Sequence, residues 1–257
     1  MGTGFVKLEE DRLVQEEGQP LLRERHRIFP AVFEDRCHQR ILDVAAGVGY
    51  VANRVRDQYG GRMFCNDMAP TCLTRLKDLG IPVTRFTIDN QTAGFPFKDG
   101  SFDAVIALAT IEHVFEVDRF VLEIARILSP EGCLYLSAPN YAGLIYMLPL
   151  LTSGRTFHDP LKPATRYEFY AHVRYFTYQT LLEYTSQFGL SPEAVYLPIP
   201  RGSDHYAELS RKSKLGAWSF QSLMKMLYTI SPRWASEPVI CFRKTDRKLT
   251  NFRKVIL

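Results

Sequence analysis

The stretch from Ile41 to Tyr50, ILDVAAGVGY, decides how the rest of this chain is read. A short apolar run carries a carboxylate, Asp43, near its end. Small residues follow at once: Ala45, Ala46, Gly47 and Gly49. Small residues after a strand let something approach the backbone closely. Working outward, strand-like runs stand at RILDV, GRMFCN, PVTRFT, FDAVIAL and GCLYLSAP. Helix-like runs separate them at YVANRVRDQY, TCLTRLKDLG and DRFVLEIARILS, and Pro130 is read as the end of the last. Alternation of this kind from about residue 41 to residue 140 predicts an α/β fold on a parallel sheet.

The chain has 257 residues, of which 46% are hydrophobic and 23% charged, with a net charge of +4. That suits one large domain with a sizeable core. No basic block resembles a nucleic-acid footprint, so no nucleic-acid partner is expected. Five cysteines, Cys37, Cys65, Cys72, Cys133 and Cys241, include no Cys-x-x-Cys pair, which fits reduced thiols better than disulfides or zinc. The start MGTGFVKLEEDRL lacks an apolar signal core and the myristoylation pattern, and YAGLIYMLPLL is too short to span a bilayer. The expectation is a cytoplasmic protein without a membrane span. Peripheral membrane contact and oligomeric state stay open.

In a parallel α/β sheet, ligands sit beyond the carboxyl ends of the strands, at the switch point beside the first. Asp67, in MFCNDMAP, ends the second strand about 20 residues after Gly47, where nucleotide-binding folds place the acid that chelates ribose hydroxyls. Its plainer reading is a helix cap. Asp89 and Asn90 follow the third strand, where they could meet the edge of a base. Gly47, Gly49 and Ala52 satisfy Gly-x-Gly-x-x-Ala, so an NAD-dependent dehydrogenase is a formal alternative. Against it, Asp43 would oppose a pyrophosphate, whereas a zwitterionic or cationic ligand meets no such conflict.

The segments ILDVAAGVGYVANRV, CNDMAP, FPFKDGSFDAVIALATIEHV and EIARILSPEGCLYLSAPN resemble, in order and spacing, the class I S-adenosylmethionine-dependent methyltransferases, and within them the branch of the ubiquinone and menaquinone biosynthesis methyltransferases. The resemblance covers residues 41 to 140, and HVRYFTYQTLLEYTSQFGL is similar to the family's post-core segment. It implies a Rossmann-like class I methyltransferase fold, a seven-stranded, mostly parallel sheet flanked by helices, with S-adenosyl-L-methionine as cofactor. It also implies site residues. Asp43, Ala45, Gly47 and Gly49 would line the methionine portion, Asp67 would hold the ribose and Met68 would pack on the adenine. Asp89 and Asn90 would meet the adenine edge, and Ala109 would lie under the sulfonium. The family usually has Gly where Ala45 stands.

The expected organisation is one domain, 1–257. N-terminal helices occupy 1–40, the cofactor core 41–140, an inserted irregular substrate cap 141–175, and the rest of the sheet and a tail 176–257. In that last part, helices are expected at TYQTLLEYTSQFGL and LGAWSFQSLMKMLYTI, and strands at PEAVYLPI and PVICFRK. The basic residues Arg243, Lys244, Arg247, Lys248, Arg253 and Lys254 read as a solvated tail.

Methyl transfer from a sulfonium is a direct displacement, so the protein mainly positions donor and acceptor and excludes water. A base is needed only where the acceptor must lose a proton. His113, after the fourth strand, is the first candidate; His158 and His172, in the cap, are alternatives. No metal cluster is read. Some quinone-pathway relatives carry an additional glutamate before the Glu-His pair, and here that position is Ala109. The aromatic cap suggests a small, largely apolar or aromatic acceptor, methylated on oxygen or nitrogen, with Tyr146, Tyr170 and Arg174 as contact candidates. Carbon methylation of a quinone precursor, or methylation of a saccharide or lipid-linked intermediate, is the alternative. A cofactor-binding scaffold without turnover is the alternative from another class.

Overall fold

The computed structural model describes residues 7, 11–13, 23–89, 92–201, 204–245 and 251–257. Eight strands form one sheet in the order β3-β2-β1-β4-β5-β7-β6-β8. They are β1 (Arg40–Val44), β2 (Arg62–Asn66), β3 (Val83–Thr84), β4 (Phe102–Leu108), β5 (Leu128–Ser137), β6 (Leu190–Leu197), β7 (Val239–Lys244) and β8 (Arg253–Ile256). Only β7 runs against its neighbours among them. The described helices of eight residues or more are α1 (Tyr50–Gln58), α2 (Pro70–Asp78), α3 (Val117–Ile127), α4 (Leu144–Ser153), α5 (Pro163–Ala171), α6 (Tyr178–Thr185), α7 (Asp204–Lys212) and α8 (Lys214–Ile230).

Side chains on a strand alternate between the two faces, and both faces of this sheet are covered. Leu42 and Val44 of β1 join a core with Phe120, Val121 and Ile124 of α3, Leu181 of α6 and Tyr228 of α8. Ile41 joins the opposite core with Val51 and Val55 of α1, Leu76 of α2, and Phe29, Val32 and Phe33. The chain leaves β1 towards β2 and β3 on one side and takes up β4 and β5 on the other. The order therefore reverses between β1 and β4, where such sheets open a crevice.

Three sequence expectations are corrected. The sheet has eight strands, not seven, because Arg253–Ile256 pairs in parallel with β6. The tail is accordingly a paired strand rather than a free one, although Arg253 and Lys254 on it are exposed. Arg253 reaches Glu34 at 2.6 Å, Arg243 reaches Glu193 at 2.6 Å, and the Lys244 Nζ donates to the Leu128 carbonyl; Arg247 and Lys248 lie outside the described residues. Second, α3 stops at Ile127 and Leu128 already belongs to β5. Pro130 biases the residue before it towards extended backbone, so the helix gives way ahead of it. Third, the segment 141–175 is not irregular: it holds α4 and α5. Ahead of β1, helical backbone is described at residue 7, at residues 11–13 and at Glu24–Arg27, with a 3-10 turn at Ala31–Phe33. Helix α7 was not read at all.

Asn140, 1% exposed, roots the inserted segment. Its amide donates to the Arg233 and Ala235 carbonyls, while its oxygen accepts from the Tyr178 and Ala142 N–H groups. Both ends of residues 141–177 are thereby tied to one buried side chain.

Candidate active site

The loop after β1 is bent by backbone conformations that side chains resist. Ala45, Gly47 and Gly49 all have positive φ, +53°, +56° and +83°. A non-glycine residue there is strained by roughly 1–2 kcal/mol, and strain of this kind collects at functional sites. Ala109, at the end of β4, is the same, with φ +48°. The two strained alanines therefore end the two strands that flank the switch point. The glycines differ. A Cβ on Gly49 would lie 2.8 Å from Leu76 Cδ2, so this glycine lets α2 close on the loop; a Cβ on Gly47 would meet nothing within 4 Å.

Asp67 braces this loop. Its Oδ2 accepts from the Gly47 N–H at 2.8 Å, and its Oδ1 accepts from the N–H groups of Met68 (2.8 Å) and Ala69 (2.9 Å). These bonds lie ahead of α2, whose N-cap is Ala69 without a side-chain cap hydrogen bond, so Asp67 shapes the turn into the helix and braces the glycine loop rather than capping the helix. Met68 is half-buried at the entry to α2. Asp43 is 3% exposed. Burial first, and then the neighbouring charge of Asp67, push its carboxyl up to about 8. Such a carboxyl favours a ligand that brings positive charge and disfavours one that brings phosphate.

Asp89 is turned to the start of α3, accepting from the N–H groups of Phe115 and Glu116 at 3.1 and 2.8 Å. It thereby holds the segment after β3 against the turn after β4. Asn90 lies outside the described residues. The Ala109 N–H donates to the Ser137 carbonyl and hydroxyl, both at 3.1 Å. The Ser137 hydroxyl donates to Glu237, and Arg25 pairs with the same carboxylate at 2.6 Å.

The three histidines named from the sequence as alternatives come together. The His113 and His172 rings lie 4.8 Å apart, and the His158 and His172 rings also lie 4.8 Å apart. The Tyr141 hydroxyl bridges His172 Nδ1 (3.0 Å) and His158 Nδ1 (3.2 Å). His113 Nδ1 faces the Ala171 carbonyl at 2.9 Å. Burial lowers His158 to about 4, and burial with the neighbouring His113 lowers His172 to about 2. Both are neutral imidazoles across the physiological range. Beneath them is Glu112, 1% exposed, whose two carboxylate oxygens are buried without a hydrogen-bond partner. Burial, and then Glu237, push its carboxyl up to about 8.

The acceptor candidates separate. Tyr146 belongs to the cluster, its ring 4.9 Å from Tyr141 and 5.5 Å from His158. Tyr170 does not: it is 56% exposed on α5, beside Phe169 and Arg166. Arg174 is drawn back to the turn after β4, its guanidinium donating to the Phe115 carbonyl at 2.7 Å. Glu112, Tyr141 and Glu237 were not read as site residues. Glu112 is the first half of the Glu-His pair in ATIEHV, and Tyr141 opens the aromatic segment 141–175.

The loop after β1, Asp67, Asp89, Ala109, Glu112 and His113 lie within a stretch that matches a known family model, whereas Tyr141, Tyr146, His158 and His172 lie beyond it. Residues 42–136 match the family model of the methyltransferase domain. The chain is 32% identical over 113 residues to a malonyl-[acyl-carrier protein] O-methyltransferase of Geobacter sulfurreducens, 43% of this chain and 42% of that protein. It is 30% identical over 91 residues to the mitochondrial arginine-hydroxylase NDUFAF5 of Homo sapiens, 35% of this chain and 26% of that one. The match thus spans less than half the length of either relative. Among solved structures, it is similar to an S-adenosylmethionine-dependent methyltransferase of Thermotoga maritima, described as a possible histamine N-methyltransferase. The TM-score is 0.60 at 16% identity, covering 94% of this chain and all of that one. At that identity the likeness concerns the fold, which is the Rossmann-like methyltransferase fold. No described helix is long and apolar enough to cross a membrane.

Proposed function

We propose that the chain is an S-adenosylmethionine-dependent methyltransferase acting on a small, largely apolar or aromatic molecule at oxygen or nitrogen. The observation that carries this reading is the strained loop Ala45–Gly49, braced by Asp67 and set beside the buried carboxyl of Asp43. The open space at Gly47 and the cation-seeking acid suit a ligand with an ammonium and a sulfonium centre. They oppose the pyrophosphate of a nicotinamide dinucleotide, which keeps the dehydrogenase reading second.

When bound, the cofactor supplies a methyl group already activated by its sulfonium. The chain's own part is placement. Asp43 and the loop hold the amino-acid end, Asp67 the ribose, Met68 with Asp89 and Asn90 the base, and Ala109 leaves room for the donor carbon. Residues 141–175 close over the acceptor as a cap, with Tyr146 as a wall. An acceptor hydroxyl must lose its proton, and the cluster of His113, His158 and His172 is the group of side chains placed to manage it. The likeness to the quinone-pathway branch is the narrower part of this proposal, and methylation of a quinone precursor carbon, a saccharide or a lipid-linked intermediate is its alternative.

The test has two arms. Calorimetry should show S-adenosylmethionine binding more tightly than a nicotinamide dinucleotide; the reverse order would overturn the cofactor assignment. Labelled cofactor incubated with a cell extract should then give a labelled small molecule identifiable by mass spectrometry. Binding without any labelled product would favour the scaffold reading, and label on protein or RNA would overturn the small-molecule reading.

A further inference from the structure

We infer that Glu112, His113 and His172 form a binding site for one divalent first-row transition-metal ion, of the zinc or iron(II) class. The three side chains offer one carboxylate oxygen and two imidazole nitrogens, all within 4.8 Å of one another. Donors on a bound ion of this class sit about 2.0–2.2 Å from it. The cluster therefore needs a contraction of about an ångström, within reach of small rotamer changes.

The second observation is independent of that spacing. Glu112 is 1% exposed, and neither carboxylate oxygen has a hydrogen-bond partner. Buried carboxylates are ordinarily paired or coordinate a metal, because leaving them otherwise is costly. The nearest polar neighbours in the cluster are imidazoles, and an ion between them would satisfy both.

The surroundings have the form of an outer shell. Metal-bound histidines characteristically give their other ring nitrogen to a carbonyl or a polar group, which fixes the tautomer and the ring. His113 Nδ1 lies 2.9 Å from the Ala171 carbonyl, which places the lone pair on Nε2. His172 Nδ1 lies 3.0 Å from the Tyr141 hydroxyl, which also holds His158. The Glu112 carbonyl accepts from the N–H groups of Val173 and Arg174, at 2.9 and 3.1 Å. Those bonds pin the segment after α5, which begins at His172, to the turn carrying Glu112 and His113. Two histidines and one carboxylate leave coordination positions open, as in catalytic zinc and non-haem iron(II) centres. With an ion present, His113 acts as a ligand, and the open positions take its place opposite an acceptor.

This inference stands apart from the methyl-donor reading, and the experiment separates them. Untagged full-length protein, stripped with a chelator, is titrated with Co(II) and followed by visible absorption; Zn(II) is then added as competitor. The expected result is one equivalent of Co(II) with the visible bands of a low-symmetry nitrogen and oxygen site, displaced by Zn(II). Glu112→Gln and His172→Asn should each weaken Co(II) binding at least tenfold, and Tyr141→Phe, acting on the orientation of His172, should weaken it by up to about 10–100-fold. Absence of stoichiometric Co(II) binding by the wild type would overturn the inference. So would unchanged affinity in both ligand variants. A near-ultraviolet thiolate charge-transfer band would place the ion instead at the second cluster, Cys133, Glu193 and Cys241, and would overturn it as well. Should Glu112→Gln fail to fold, His172→Asn and the wild-type stoichiometry decide. Protein that binds S-adenosylmethionine but no Co(II) sinks the metal site alone; the converse sinks the donor reading alone.

Discussion

Replacing Asp43 by Asn tests the electrostatic logic of the proposed cofactor site. The wild-type carboxyl is pushed up to about 8 by burial and by Asp67, so near pH 6.5 it carries about one proton in the ligand-free protein. Ionising it there costs about 2 kcal/mol, at about 1.4 kcal/mol per pH unit. An incoming ammonium repays this through a charge-assisted hydrogen bond of about 1.5–3 kcal/mol. Binding should therefore release about one proton near pH 6.5, and affinity should climb by up to about tenfold per pH unit towards pH 8. Above that the ligand's own amine, with an ordinary value of about 7.7–8.0, loses its charge and affinity falls again. Calorimetry in phosphate and in Tris buffers, which differ in ionisation enthalpy, counts the released proton directly. Asp43→Asn should release about none, lose the rising limb, and bind weakest relative to wild type near pH 8. Wild-type binding with no proton release near pH 6.5 would refute the reasoning.

Asp67→Ala should weaken S-adenosylmethionine binding at least about tenfold in calorimetry, because it removes a ribose acceptor worth about 1.5–3 kcal/mol and also frees the Gly47 N–H; unchanged affinity would remove Asp67 from the site. Gly49→Ala should lower unfolding free energy in urea by about 1–3 kcal/mol, through positive-φ strain and the 2.8 Å approach to Leu76 Cδ2. Gly47→Ala should destabilise less but bind the cofactor worse; the opposite ranking would mean that the loop faces the other way. Ala45→Gly should be neutral or stabilising by up to about 1 kcal/mol, as relief of strain at φ +53° is partly offset by unfolded-state entropy; clear destabilisation would show that its methyl group packs. In the ligand-free protein Asp43 should contribute a loss of stability as pH rises between about 4 and 8, with a slope of up to about 1.4 kcal/mol per unit, read as the difference from Asp43→Asn because Glu112 adds to it and His158 and His172 oppose it below about 6.5. The folded state there holds a proton that the unfolded state, with its carboxyl near the ordinary value, has lost. Asp43→Asn should remove that part of the slope in pH-dependent urea titrations.

The half of the fold that positions the cofactor loop was legible because its signals are local. Strands β1, β2 and β4 are short apolar runs of fixed period, and a run of small residues follows β1 at the switch point. Positive φ at Gly47 and Gly49 follows from glycine's freedom. The inserted helix α4 was not legible for a physical reason. It contains Pro149 and buries none of its residues, with Leu148 and Leu151 53% and 73% exposed, so it has no apolar stripe to read. Strand β8 was hidden by its charges. Arg253 pairs with Glu34 and lies 3.6 Å from Glu193, partners more than fifty residues away in the chain.

The histidine cluster marks where sequence reasoning runs out. His113 and His172 are separated by 58 intervening residues, and each alone is a weak signal. Their meeting depends on the Val173 and Arg174 N–H groups finding the Glu112 carbonyl, and on Asn140 tying both ends of the insertion. Backbone pairing of that kind leaves no mark on residue type, so three alternatives in the sequence become one constellation only in three dimensions. Glu112 shows the same limit. In IEHV it is one half of a Glu-His pair with no stated role, yet in the fold its burial leaves both oxygens unsatisfied beside two imidazoles. An acid kept in such a place implies either a proton held on it or a cation brought to it, and these two states differ by one positive charge on the ion. Their consequences diverge at the acceptor: a protonated Glu112 leaves His113 as the group that must take a hydroxyl proton, whereas a metal makes His113 a ligand and presents the acceptor with open coordination positions.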